Sequence, residues 1–294
     1  MTTRPFLKWA GGKSQLLPEL VTRSPRRIDT YYEPFLGGGA LFFALYEDPE
    51  RAPKRAVLND LNGDLMATYE VVRDAPELLI RRLRRLESEY LAADDAAREA
   101  LYYEIRKRRR LRKPVEVAAR VIFLNKTCYN GLFRVNRKGE FNVPFGRYKS
   151  PRILDREALL AASRVLQGVE LRRLDFEEAC AGAGPDDFVY FDPPFHPLSA
   201  TSSFTSYTER DFGRAEQIRL KRCIDGLTER GVPVLLSNSP HPWIRGGYEF
   251  AGYRIEEVQA RRAINSRGDR RGPIGELVVT NQPLLTALQN EVQP

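Results

Sequence analysis

Val189-Tyr190-Phe191-Asp192-Pro193-Pro194-Phe195 is the stretch on which the fold turns. An apolar run meets an acid, two prolines and an aromatic ring. Proline has a fixed φ and no N–H, so a central strand must stop where these two stand. A carboxylate, a stiff pair of carbonyls and a ring are left at the strand end. In open parallel α/β sheets, ligands bind at the carboxyl ends of the strands. The arrangement suits a flat nitrogenous base whose amino group needs two acceptors and a stacking partner. An ordinary Asp-Pro strand stop accounts for the tetrapeptide equally well, so the rest of the chain has to decide.

Upstream, Phe6–Ser14 carries Gly11-Gly12, where a backbone can approach a ligand closely. Lys13 beside them offers a cation to a carboxylate or phosphate, and Ser14 a helix cap. The GxxxxGK[ST] spacing of a P-loop is absent. Trp9 reads equally as a core anchor. Asp29–Gly39 followed by Ala40–Tyr46 has the form strand, glycine turn, helix, the first unit of a nucleotide-binding sheet. Three successive glycines depart from GxGxxG and disfavour a dinucleotide. A second strand, Arg55–Asp60, ends on an acid a little over twenty residues past that turn, where ribose hydroxyls are accepted. Asp60 or Asn62 would alternatively cap the next helix.

From Leu65 to about Lys113 the pattern is helical and basic. Ile80, Leu83, Leu86 and Tyr90 form the apolar stripe, with Arg81, Arg82, Arg84 and Arg85 on the other faces. The run Arg106–Lys113 is densely positive; such runs are usually solvated faces. Asn125–Lys149 follows, alternating aromatics, amides and cations around Arg137-Lys138-Gly139, a hairpin pattern. Arg suits guanine, Asn suits adenine, cations suit phosphates, and an aromatic can wedge between bases. The other reading is a lid hairpin packed on its own domain.

Beyond Pro151 the α/β pattern resumes. It comprises a helix near Arg156–Val165, a strand Val169–Phe176 ending on Asp175, and the strand into Phe195. A polar loop His196–Tyr207 follows, then a helix from Glu209 to about Arg230 and a buried strand Val232–Ser239. Two last strands, Tyr253–Ile264 and Gly275–Thr280, are joined by a basic turn. The fold class expected is α/β: a Rossmann-like sheet with helices on both faces, over 1–65 and 150–294. A mainly helical insertion over 66–149 carries the hairpin 129–148. The loop 196–207 is expected to close over the pocket.

Bulk properties bound the partners. The chain has 294 residues, 42% of them hydrophobic, enough for one large domain or one domain with an insertion. No apolar run spans a bilayer, and residues 1–5 carry no signal segment, so a cytoplasmic protein without a membrane partner is expected. Three scattered cysteines and two histidines predict reduced thiols and no metal site. The net charge of +8 points to an anionic partner, most simply nucleic acid, although many basic proteins bind nothing acidic.

Taken in order, the motifs WAGGKSQLL (9–17), EPFLGGGALFF (33–43), LNDLN (58–62), CYNGLFRVNRKGEFNVPFGRYK (128–149), YFDPPF (190–195), FTSY (204–207) and INSRGDRRGPIGELVVTN (264–281) resemble Dam-type DNA adenine-N6 methyltransferases. These form the D12 class with alpha motif order. The resemblance covers nearly the whole chain; one departure is Phe195, where tyrosine is commoner. It implies a methyltransferase sheet using S-adenosylmethionine and no metal. It assigns Trp9, Lys13, Asp60 and Asp192 to that cofactor, Glu33, Phe35, Gly37 and Gly39 to its methionine part, and Asp175 with Phe176 to its adenine. It implies duplex DNA as substrate, with Lys8, Asn130, Leu132, Arg134, Asn142 and Pro144 as base contacts, Tyr129 as the wedge, and GATC as the site. Catalysis would fall to Asp192, Pro193, Pro194 and Phe195. Asp192 and the Pro193 carbonyl would accept the two amino protons of a flipped adenine, on whose ring Phe195 stacks. Rival readings are a cytosine-N4 methyltransferase, an inactive DNA-binding regulator and an RNA methyltransferase. A cognate restriction endonuclease and the oligomeric state are left open.

Overall fold

The structure is a computed structural model that describes residues 3–9, 12–136, 139–195, 212–261 and 273–282. Seven strands form one sheet: β1 (Thr30–Glu33), β2 (Arg55–Asn59), β3 (Glu170–Arg172), β4 (Phe188–Phe191), β5 (Val234–Asn238), β6 (Arg254–Arg261) and β7 (Pro273–Thr280). Their order is β3-β2-β1-β4-β5-β7-β6. The first five run parallel, and β7 pairs antiparallel with both β5 and β6. The chain builds outward from β1 through β2 to β3, then returns to lay β4 beside β1. Strand order therefore reverses between β1 and β4, and such a switch point opens a crevice at the carboxyl ends.

Side-chain alternation along the strands makes two apolar layers. Tyr31, Leu58, Phe188, Tyr190, Leu235 and Val278 face one cluster. Tyr32, Val57, Val189, Phe191, Leu236 and Leu277 face the other. The first layer is covered by α1 (Leu17–Arg23), α2 (Ala40–Glu47), α3 (Gly63–Asp74) and, later in the chain, Arg156–Leu166. The second is covered by three helices spanning Phe176–Ala179, Arg214–Glu229 and Pro242–Glu249. Helices on both faces are thus a consequence of period-two burial in every long strand.

Between β2 and β3 the chain adds α4 (Pro76–Ala92), α5 (Asp95–Lys107) and α6 (Pro114–Thr127), before α7 (Arg156–Leu166) returns to the sheet; α8, α9 and α10 are the three helices just given. Leu79, Ile80, Leu83, Leu86 and Tyr90 of α4 are buried, as the stripe predicts. The apolar cluster runs unbroken from sheet residues into Tyr90, Tyr102, Phe123 and Phe145. The hydroxyls of Tyr90 and Tyr102 donate to the Tyr148 and Val143 carbonyls, each at 2.8 Å, so these helices carry the 129–148 segment on their ends. Among the described residues no helix is long and apolar enough to cross a membrane.

Several local expectations shift. Ser14 does not cap α1; the cap position is Leu16, without a side-chain bond. Asn62 caps α3 by accepting the Leu65 N–H at 3.1 Å. β3 ends at Arg172, and Asp175 instead caps α8 by accepting the Glu177 N–H. The hairpin holds two isolated bridges, Cys128 with Phe145 and Val135 with Phe141, where a ladder was expected. The predicted loop 196–207, the tip residues Arg137 and Lys138, and the turn 262–272 lie outside the described residues.

Candidate active site

Two glycines at the end of β1 need the left-handed region: Gly37 at φ 47° and Gly39 at φ 64°. A Cβ on Gly37 would lie 2.7 Å from Trp9 Cδ1. The N-terminal segment thus lies directly on the glycine turn. The Gly37 N–H donates to Asp60 Oδ2 at 3.0 Å, and the Asn62 N–H to Asp60 Oδ1 at 2.9 Å. Asp60 therefore ties the turn after β1 to the end of β2 and is not the helix cap. Its oxygens keep further lone pairs. Burial raises its carboxyl, against those two N–H bonds.

Glu33, closing β1, is buried. It accepts the Tyr31 hydroxyl at 3.0 Å. Burial, reinforced by the nearby Asp192 charge, pushes its carboxyl well above the usual range, against the Tyr31 hydroxyl bond. Phe35 stacks on Phe176 at 5.5 Å and meets Phe212 edge-on at 5.4 Å. Asp175 and Phe176 are both held by Arg219: its guanidinium is 2.7 Å from Asp175 Oδ1 and 4.8 Å from the Phe176 ring.

Asp192 follows β4 with its side chain 23% exposed. Lys13, only 4% exposed, points its Nζ at Asp192 Oδ1 (2.9 Å) and at Glu276 Oε1 (3.1 Å), and lies 4.4 Å from the Phe195 ring. Burial alone would lower the Lys13 ammonium, but the two carboxylates reverse that and hold it charged. Burial raises the Asp192 carboxyl to about 6; Lys13 pulls it down and Glu276 pushes it up. Next along, the Pro194 carbonyl accepts Gln217 Nε2 at 3.1 Å.

The 129–148 segment shows which of its residues face outward. Phe133, Val135, Phe141, Val143 and Phe145 are buried. Between them Leu132, Arg134, Asn142 and Pro144 turn the other way, as strand alternation requires. Arg134 Nε donates to Asn142 Oδ1 at 2.8 Å. Asn130 sits at φ 57° with its N–H on the Tyr148 hydroxyl, and Tyr129 is 42% exposed. Asn125 ties this segment to the N-terminus, accepting the Lys8 N–H at 2.9 Å and donating to the Lys8 carbonyl at 2.6 Å. Trp9 stacks on Phe133, with ring centres 4.9 Å apart.

The structure therefore gathers the expected residues into three neighbouring groups. Gly37, Gly39, Asp60 and Trp9 meet at β1 and β2. Lys13, Asp192 and Phe195 meet at β4. Lys8, Tyr129, Asn130, Leu132, Arg134, Asn142 and Pro144 share the outer hairpin. Asp175 and Phe176 open α8 with Phe35 and Arg219, joined to the end of β2 by the Asn59–Leu174 hydrogen bonds. Sequence reasoning missed Glu276, Gln217, Arg219 and Asn125. Glu276 left a trace, a lone acid inside the apolar strand Ile274–Thr280; the others left none.

The profile of the D12 class N6 adenine-specific DNA methyltransferases matches residues 9–264. The type II methyltransferase M.MjaIII of Methanocaldococcus jannaschii is 44% identical over 291 residues, covering 96% of this chain and all of that one. The DNA adenine methylase of Escherichia coli K12 is 34% identical over 281 residues, covering 95% and 96%. The solved rRNA methyltransferase aviRa of Streptomyces viridochromogenes overlaps 96% of this chain and 92% of its own at 15% identity. Its TM-score of 0.38 is too low to carry weight. With this profile spanning most of its length and such relatives end to end, the chain belongs to the D12 class of N6 adenine-specific DNA methyltransferases.

Proposed function

We propose that the protein methylates the N6 amino group of adenine in duplex DNA, at GATC, with S-adenosylmethionine as donor and with the base swung out of the helix. One observation carries the reading: a partly buried acid, Asp192, stands on the same sheet edge as the Gly37–Asp60 pair, one strand away. The residues suit the donor. Gly37 leaves no room for a Cβ, Asp60 keeps acceptor capacity for ribose hydroxyls, and Asp192 with Glu276 outnumber the single cation Lys13. Trp9, Glu33, Phe35 and Gly39 complete that wall, and Asp175 with Phe176 supply an acceptor and a ring for the adenine. When bound, the cofactor supplies an electrophilic methyl group on sulfur.

The chain's own residues do the rest by positioning and fixed acceptors. The amino nitrogen of adenine is a poor nucleophile because its lone pair is delocalised into the ring. Asp192 and the Pro193 carbonyl accept its two protons and draw it towards pyramidal geometry. Phe195 stacks on the extruded base beside Lys13. Asp192 then stabilises the charge that develops on nitrogen and takes the proton, directly or through water. Extrusion costs a few kcal/mol. Recognition falls to 66–149, where the outward face of Leu132, Arg134, Asn142 and Pro144 meets the bases with Lys8 and Asn130, and Tyr129 wedges the stack. Residues 1–65 and 150–294 hold the chemistry.

Incubating purified protein with unmethylated DNA and S-adenosylmethionine, then digesting to nucleosides and sequencing the modified sites, tests this. N6-methyladenine at GATC is expected. Asp192→Ala should cost about 10²–10³-fold in turnover while DNA and cofactor still bind. N4-methylcytosine as product, or near-normal turnover by the variant, refutes the scheme.

A further inference from the structure

Glu276 enters the reading above only as a second acid beside Lys13, yet the fold delivers it to the reacting edge. β7 runs antiparallel to β5, with Leu277 opposite Asn238, the last residue of β5. The residue before Leu277 therefore lies just past the carboxyl ends of the parallel strands, where Asp192 also stands. Glu276 is 7% exposed. Its Oε1 is 3.1 Å from Lys13 Nζ, an ion-pair contact. It is one of four buried side-chain polar atoms without a hydrogen-bond partner among the described residues. Another is Ser239 Oγ, one residue past the end of β5.

A buried carboxylate is costly unless its charge is matched. The surrounding groups among the described residues do not match it. From the N-terminal segment comes Lys13, from β4 Asp192 and Tyr190, from β1 Tyr31 and Glu33, and from β2 Asp60. Tyr31 and Tyr190 are neutral, since burial raises both hydroxyls well above their ordinary value. Burial pushes the Glu33 carboxyl well above the usual range, and the Tyr31 hydroxyl engages it. The Asp60 charge is spread over two N–H donors on a separate strand end. Among the described residues, one ammonium at the Asp192 centre therefore serves two carboxylates. A purely structural ion pair would balance.

We propose that Glu276 is a positioning residue for methyl transfer: by sharing the Lys13 ammonium, it leaves an unbalanced negative charge beside Asp192 that selects a sulfonium over the neutral thioether product. The inference rests on the cofactor reading above. S-adenosylmethionine and S-adenosylhomocysteine differ by the methyl group and its positive charge. The same sharing keeps Lys13 from pinning Asp192, which stays a better proton acceptor. After transfer the charge match is gone, and the product leaves more readily.

The experiment is equilibrium binding of both compounds to full-length wild type, Glu276→Gln and Glu276→Asp, with the pH profile of kcat/KM. Gln keeps the shape and removes the charge; Asp keeps the charge. Wild type and the Asp variant should prefer the sulfonium, and the Gln variant should lose about tenfold of that preference. The acid limb of the Gln variant should move down by about one pH unit, because Lys13 then pairs with Asp192 alone. Loss of the preference in the Asp variant overturns the proposal, and does so even if the Gln variant fails to fold. So does equal weakening of both compounds by Gln with an unmoved acid limb, which marks a merely structural anchor. If wild type binds neither compound, the cofactor reading fails and this inference with it.

Discussion

Gln217 on α9 is 3% exposed and joins three parts of the site. Its Nε2 donates to the Pro194 carbonyl at 3.1 Å, and its Oε1 accepts Asn238 Nδ2 at 3.0 Å. Asn238 in turn accepts the Ser239 N–H at 2.8 Å. Pro193 and Pro194 have no N–H, so the loop after β4 has few ties of its own; Gln217 supplies one from outside. Gln217→Leu keeps the volume and leaves unpaired the buried Asn238 amide and the part-buried Pro194 carbonyl. The buried amide costs about 1–3 kcal/mol and the carbonyl somewhat less, roughly 2–5 kcal/mol together. At about 2–4 °C per kcal/mol for a chain of this size, the melting temperature should fall by about 4–20 °C. The loop should also drift, and a displacement of about 1 Å in a positioned group costs about 10²-fold in rate. The affinity for S-adenosylmethionine should change far less, because Gly37 and Asp60 hang from other strands. Thermal melting and single-turnover transfer of a labelled methyl group read these separately. A variant that melts within about 1 °C of wild type and turns over normally would show that Gln217 carries no load.

Two further outcomes are expected. Because the fold raises the Asp192 carboxyl to about 6, its ionised form opposes folding above that pH, and the penalty is relieved as pH falls through 6 towards the unfolded value. Between pH 7 and 5 the cofactor-free protein should gain about 1.4 kcal/mol relative to Asp192→Asn, about 2–4 °C in melting temperature. Activity should go the opposite way, falling about tenfold per unit below pH 6 as the acceptor is protonated; an acid limb near the ordinary carboxylate value contradicts both statements. Arg134→Ala, at the outward face beside Asn142, should cost about 1–3 kcal/mol of site-specific binding and relax the methylated sequence at one position. A loss uniform across all sequences would make Arg134 a phosphate contact instead.

Much of the frame was readable before folding. The double proline after Asp192 stops β4, the glycines after Glu33 demand a turn, and the stripe Ile80, Leu83, Leu86 and Tyr90 marks the buried face of α4. Each is a matter of local sterics or of helical period, settled within a few residues. Other features were decided between elements. Asp175 was expected to end a strand; it caps α8 and meets Arg219 because packing of α9 brings that guanidinium across. The pairing of Lys13 with both Asp192 and Glu276 needs three segments from the start, the middle and the end of the chain. It also needs the reversal that sets β7 antiparallel to β5. Spacing along a sequence says which side chains share a strand face. Which buried charge finds which partner depends on how the strands are ordered, because the cost of leaving a charge unmatched is met only after the layers close.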